Sequence, residues 1–409
     1  MGILSGYSFY LIGKLCALTS SKSLSECWGK TVGPSSSWVV ALACVLTPLG
    51  AALSYSIILA DVFSTLATSF GLTSSKALRS LQALLPRAAG ELSLRTGTLL
   101  TLTSLVLYPL CTLKDLSSLT PVSLLGVLGI LLTTAFMFLR LASGAYSPPS
   151  GAFFSRVAPS LRPAFPAKIA IAKAFNFDRR MLALLSMSAT AYLSHFNAPA
   201  FLTDLVPGSC GSKAKSKDKE EALTKFRKLV VLSFSAVFLI SAAIMSLGYL
   251  TFGTASSSSI LNNYSARDAG ATLCRLLMGV SVLGSYPLVF AGVRSSLLDL
   301  FKVEGASDSK KNALTAALLA AVTLAAANMR DVGIVVELNG AVLGSAIIYI
   351  FPSLMLLKYA AMQDAKKAVK GKEKAVGEGE KMANRALIAF GVLMAVVGGG
   401  TTIAEAMKK

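Results

Sequence analysis

Residues 182–205 read LALLSMSATAYLSHFNAPAFLTDL, and one run within them, Ser194-His195-Phe196-Asn197-Ala198-Pro199, decides how the chain folds. The stretch is long and apolar enough to cross about 30 Å of hydrocarbon as a helix. Its middle, however, carries a histidine, an asparagine and a proline. Proline lacks the backbone donor and pushes the residue before it out of the α region, so the helix is expected to break near His195. Backbone groups freed in lipid are tolerated only where they are buried in protein or line a cavity. The run also fits a plain proline kink whose polar side chains bond to neighbouring helices.

Working outward, the 409 residues are 54% hydrophobic and 14% charged, against about 25% charged in soluble domains. Mean hydropathy is +0.65. Ten stretches qualify as membrane helices: 2–19, 37–63, 96–113, 121–143, 182–205, 229–252, 270–293, 312–329, 332–358 and 385–404. Open strands cannot satisfy their backbone in lipid, so the fold is all-α and polytopic. The stretch from Gly2 has no basic region before it and reads as a membrane helix, not a signal peptide.

The net charge of +19 sits in loops such as Lys213 to Lys219 and Lys366 to Lys374, without interleaved aromatic residues, so nucleic acid is not the expected partner. Membrane lipid is, and the basic loops are expected on the cytosolic side. Ten crossings then put both termini and Asn263-Tyr264-Ser265, the only Asn-x-Ser/Thr sequon, on the outer or lumenal side, where Asn263 could carry a glycan. The loop 144–181 is also basic but long, and long loops obey the charge rule less strictly. The six cysteines are scattered without a CxxC or Cys/His cluster, so neither a metal site nor a disulfide framework is indicated.

Several motifs together carry a resemblance. They are Tyr7-Ser8 through Lys14, Gly50-Ala51 with Ser54-Tyr55, Ser194 through Pro199, Gly248 through Gly253 with Ile260-Leu261-Asn262, Arg275-Leu276 through Tyr286-Pro287 to Ser296, and Gly340-Ala341 through Tyr349 to Pro352-Ser353. In this order they resemble the amino acid/auxin permease family, and within it the sodium-coupled neutral amino acid transporter branch. Pro48 and Gly292 depart from that pattern, standing where the resemblance leads one to expect an Asn and a Pro. The resemblance implies eleven helices, the first ten forming two inverted five-helix repeats whose broken helices hold the ligand. The ten helices present would be the second to the eleventh. The organisation expected is a single transmembrane domain with an incomplete first repeat at 1–143, an external loop at 144–181, a second repeat at 182–358, a basic cytosolic loop at 359–384 and a final helix and tail at 385–409. The first helix would then lie before Met1, and half of the binding site with it, so that the chain as written is not expected to transport alone.

Ionisable groups within membrane helices are costly and call for an explanation. His195, the only histidine, could titrate near neutral pH and assist proton coupling, or bridge backbone groups as a neutral ring. Glu337 could accept a proton or neutralise a cation, or be a paired or snorkelling carboxylate. Lys14 is expected to snorkel, and Arg275 to pair with a carboxylate such as Glu337. Gly340 and Gly344 offer a small-residue packing face. The resemblance implies that Ser194, His195, Phe196, Asn197 and Ala198 meet the substrate and that Ser285 coordinates Na⁺. For Ser285 the residues alone read equally as a hydroxyl bonding back to its own helix.

The resulting expectation is secondary active transport of a small neutral amino acid by alternating access. Na⁺ or H⁺ would drive it, with no cofactor and at a plasma or vacuolar/lysosomal membrane. The chain has no GxSxG, HExxH or phosphate-binding Gly-rich loop, so it is not expected to be an enzyme. The alternatives are a non-transporting amino-acid sensor or scaffold of the same fold, or an inactive truncated product.

Overall fold

The computed structural model describes residues 1–70, 94–113, 120–165, 179–205, 216–301, 307–329, 331–370 and 376–407. Lys213, Lys215 and part of the second basic loop fall outside them. Described residues are helical nearly throughout and form no strand. The first helices in chain order are α1 (Gly2–Thr19), α2 (Leu24–Thr31), α3 (Ser37–Ser69) and α4 (Leu94–Leu102), which runs through a π-helical turn into α5 (Tyr108–Cys111). There follow α6 (Thr120–Ala142), α7 (Arg179–Ala191), a 3-10 turn (His195–Asn197), α8 (Ala198–Leu205), α9 (Ser216–Phe252), α10 (Ala269–Leu300) and α11 (Asp308–Asn328). The last are α12 (Val332–Leu338), a π-helical run (Asn339–Ile350), α13 (Phe351–Lys370), α14 (Glu378–Leu393), a π-helical turn (Met394–Gly398) and α15 (Gly399–Ala406).

Helix occupies all ten stretches expected from the sequence. Seven runs among the described residues are long and apolar enough to cross a membrane, and the chain is an integral multi-pass membrane protein. The expected stretch 182–205 is not one continuous span because it is interrupted after Ala191. One boundary moves: α9 begins at Ser216, not near 229. No proline or glycine stops the helix there, and a Glu221–Lys225 pair at 2.8 Å, one turn apart, supports its charged extension.

The described chain divides into two compact units, each drawing on both halves of the sequence: Met1–Thr47 with Phe177–Leu239 and Val336–Lys409, and Pro48–Asn176 with Ile240–Val335. In the first, α1 is central, burying Phe9, Leu11, Ile12, Leu15 and Cys16. Phe226 of α9 approaches α1 so closely at Gly13 that a Cβ there would overlap its ring. Polar ties join α1 to α14: Asn384 Nδ2 donates to Tyr7 Oη at 2.7 Å, and Lys14 pairs with Glu380 at 3.3 Å, so Lys14 has a partner beyond simple snorkelling.

In the second unit α6 packs along α10 through small residues. Side chains at Gly126 or Gly284 would overlap Ser281 or Val122 respectively, which is how helices in lipid gain close backbone approach. Hydroxyl pairs tie further helices, Ser56 to Tyr286 at 3.0 Å and Thr103 to Thr323 at 3.0 Å. The segment 145–165 folds back onto the end of α9, where Ala164 N–H donates to Phe252 O and Thr254 N–H to Ala164 O. Gly253 has φ 59° there, and a side chain would run into the Ala164 carbonyl.

Candidate functional site

The helix that opens at Arg179 ends at Ala191, a 3-10 turn runs over His195–Asn197 after three intervening residues, and α8 starts at Ala198 with Pro199 in its first turn. This is the break that Pro199 dictates. Its side chains divide: His195 and Ala198 are fully buried, Ser194 and Phe196 half-buried, and Asn197 exposed.

His195 is the fixed point of the break. Its Nε2 lies 2.9 Å from Ser5 O and 3.1 Å from Ser8 Oγ. A carbonyl can only accept, so Nε2 carries a hydrogen and donates to Ser5 O. Ser8 Oγ in turn donates to Leu4 O at 3.0 Å or Ser5 O at 3.1 Å, which leaves its lone pairs facing the imidazole. Phe9 meets the ring edge-on at 5.5 Å and Phe234 at 6.3 Å. Nδ1 is buried without a hydrogen-bond partner. The sequence singles out Ser8 only as part of the Tyr7-Ser8 motif and Ser5 not at all; their spacing of three puts them on one face of α1, but nothing local names the histidine they serve.

Glu337 belongs to the same unit and accepts from Thr402 Oγ1 of α15 at 3.3 Å. Two residues on, Asn339 Nδ2 donates to Thr47 O at 3.3 Å. Gly340 and Gly344 are buried in the π-helical run, as a packing face requires.

Ser285, Asn263 and Arg275 belong to the second unit. Ser285 is half-buried on α10, two residues before Pro287. Because Pro287 has no N–H, the carbonyl of Leu283 loses its usual helical donor, so a hydroxyl and a carbonyl without that donor occur within one turn. Both are oxygen ligands suited to a hard cation. Among the described residues no group of three or more His, Cys, Asp or Glu side chains could hold a metal.

Arg275 is not paired with Glu337. Its guanidinium donates to the backbone carbonyls of Leu261 at 2.7 Å, Ser265 at 3.4 Å and Tyr264. The segment before α10 curls back over the helix start and supplies acceptors closer than any carboxylate. Asn263 is fully buried beside it. Its Nδ2 donates to Leu161 O at 3.2 Å and Ala255 O at 2.8 Å, and its Oδ1 accepts from Ser257 N–H at 2.8 Å. With both amide hydrogens engaged and the group sealed from solvent, Asn263 is ill placed to carry a glycan in the folded protein.

The same end of the unit holds a carboxylate centre. Asp268 is fully buried, and its Oδ2 accepts from Arg140 Nε at 2.9 Å and Tyr146 Oη at 3.0 Å. Its Oδ1 accepts from Arg140 Nη2 at 2.7 Å and Gly270 N–H at 3.0 Å. Burial pushes the Tyr264 hydroxyl up to about 12 and raises that of Tyr146 as well, so both phenols stay neutral, and Tyr146 keeps the hydrogen it donates to Asp268.

A multi-pass helical chain with a buried break at His195 and a proline within α10 at Pro287 is the setting for its sequence relationships. Residues 1–404 match the family described as transmembrane amino acid transporter protein. The chain belongs to this family. It is similar to a protein of Danio rerio named putative sodium-coupled neutral amino acid transporter 11, 31% identical over 141 residues, which is 34% of this chain and 32% of that one. The Bos taurus protein of the same name is 25% identical over 353 residues, 86% of this chain and 66% of that one. Solute carrier family 38 member 8 of Homo sapiens is 30% identical over 151 residues, 34% of each chain. The chain thus spans from about a third to just under two thirds of the length of the relatives it matches. Membership in the transmembrane amino acid transporter family puts the chain among transporters rather than enzymes.

Proposed function

We propose that this chain belongs to a secondary active transporter of small neutral amino acids that works by alternating access, coupled to Na⁺. The observation that carries the reading is the interruption between Ala191 and Ala198 in a family of amino acid transporters. An unwound turn frees carbonyls and helix ends that suit the ammonium and carboxylate groups of an amino acid. In this reading Ser194, Phe196, Asn197 and Ala198 border the substrate, and His195 holds the turn against α1.

Na⁺ is favoured over H⁺ because the relatives are named as sodium-coupled and because Ser285 and the Leu283 carbonyl are hard oxygen ligands. The hydrogen-bond geometry of His195 gives it a duty other than carrying a proton, and Glu337 is tied to Thr402. The energetics close: one charge gains roughly 1.6 kcal/mol at about 70 mV, and a tenfold ion gradient adds about 1.4 kcal/mol. One ion per substrate then supports accumulation of about a hundredfold.

The test is uptake of labelled L-alanine and L-glutamine by purified protein in proteoliposomes, under an inward Na⁺ gradient, under a proton gradient, and under neither. Accumulation driven by Na⁺ alone is expected. Accumulation driven by the proton gradient alone would reverse the choice of ion, and binding without any uptake would turn the reading to a sensor.

A further inference from the structure

A cavity of about 340 Å³ lies within the second unit. Its walls include Asp61, Ser64 and Thr65 from the last turns of α3, Arg156 from the segment 145–165, Ser265, and Arg275 from the first turns of α10. That volume is at the small end of ligand sites, which run from about 300 to 1,000 Å³.

The polar groups on the wall are unevenly matched. Asp61 pairs with Arg95 at 2.6 Å, and Arg95 spends its remaining nitrogens on Ala326 O at 3.2 Å and Met329 O at 3.1 Å. Arg275, by contrast, is 2% exposed and bonded only to neutral carbonyls, and its Nε has no partner at all. Arg156 is exposed, its guanidinium resting 5.7 Å over the ring of Phe153. Among the described residues neither Arg156 nor Arg275 forms an ion pair. A buried donor without an acceptor is costly unless something fills the gap, and a guanidinium is shaped for a carboxylate.

The α3 part of the wall is suited to a cation. Ser64 Oγ and Thr65 Oγ1 both donate to Asp61 O, at 3.1 and 2.8 Å, so their lone pairs remain available beside the Asp61 carboxylate. Val157 and Leu161 add apolar lining. Guanidiniums, carboxylate with hydroxyls, and an apolar wall are the three recognition elements of a neutral α-amino acid.

We propose that this cavity is a second amino-acid site, taking the zwitterion with its carboxylate on Arg156 and Arg275 and its ammonium on Asp61, Ser64 and Thr65. The choice of ligand rests on the transport reading above; the charge pattern does not.

The experiment is chemical protection, which needs no transport. Purified protein in lipid nanodiscs is treated with phenylglyoxal, and adduct formation at Arg156 is read by peptide mass spectrometry against the exposed Arg227 of α9. Saturating L-alanine is expected to lower Arg156 labelling about tenfold, the size of one charge-assisted bond gained, and to leave Arg227 unchanged. Acetate and methylammonium, each one half of the ligand, should each protect less than L-alanine. Ser64→Leu, which fills the cavity, should abolish protection while Arg156 remains reactive. Absence of protection by L-alanine in the wild-type protein overturns the proposal, and so does equal protection by acetate, which would mark a simple anion site. No uptake by the same purified protein in proteoliposomes, with protection intact in nanodiscs, would dispose of the transport reading and leave the cavity site standing.

Discussion

His195 offers the most direct test of how the break is held. Ser8→Ala removes one of two contacts at Nε2 and keeps the N–H donated to Ser5 O, which should cost about 0.5–1.5 kcal/mol. His195→Ala removes both and deletes a ring packed against Phe9 and Phe234. Large-to-small changes in a packed interior cost about 3–5 kcal/mol, and the site has little room to collapse. His195→Gln retains a donor of similar reach and should fall near Ser8→Ala. In the double variant Ser8→Ala/His195→Ala the serine has already lost its partner, so the pair should cost less than the sum by about 0.5–1 kcal/mol. The assay is thermal unfolding of the purified proteins in one detergent, with uptake measured across pH in parallel. The expected order of midpoints is wild type, then Ser8→Ala and His195→Gln together, then His195→Ala, with His195→Gln keeping the pH profile of uptake. Strict additivity in the double variant would refute the bond. A His195→Gln protein of wild-type stability that has lost its pH dependence would refute the structural duty and make His195 the proton carrier.

Other outcomes follow from the second unit. Ser285→Ala should raise the Na⁺ concentration needed for half-maximal uptake more than it lowers the maximal rate, and Ser285→Thr should be tolerated; uptake by the alanine variant with unchanged Na⁺ dependence would make the hydroxyl structural. Asn263→Gln should show no change in glycosylation on a gel but lose about 2–3 kcal/mol of stability, because the longer amide cannot keep its three bonds to Leu161, Ala255 and Ser257. A deglycosylation shift that Asn263→Gln abolishes would contradict the burial. Asp268→Ala should cost about 1–3 kcal/mol, because Tyr146 Oη and Gly270 N–H lose their acceptor while Arg140, whose side chain is 31% exposed, turns to water. A midpoint unchanged in Asp268→Ala would show that the Asp268 centre does not hold the segment 145–165.

What could be read in the sequence, and what could not, divides by distance along the chain. The break at Ser194 to Pro199 was legible because proline acts on its own helix: the missing N–H and the restricted residue before it need no knowledge of packing. The ten helical stretches were legible for the same reason, since hydrophobic length is local. Arg275 shows where this stops. Its charge demanded a partner, and the choice of Glu337 assumed that a buried cation seeks a carboxylate. The chain just before α10 curls back as a 3-10 turn over Ile260–Asn263 and offers carbonyls instead, a conformation that no periodicity announces. Asn263 fails in the same way, because a sequon records three adjacent residues and says nothing of Leu161 and Ala255, which close over its amide. The cavity wall gathers Asp61, Arg156 and Arg275 from three distant segments, none remarkable alone. In lipid this division is sharper than in water. Every polar side chain must find a protein partner, yet the sequence states only that a partner is needed, and which of many hydroxyls and carbonyls supplies it is settled by helix packing. Ser5 and Ser8 matter to the break for that reason: they are ordinary serines on α1 until α1 lies against the break, where they become the acceptors that fix His195.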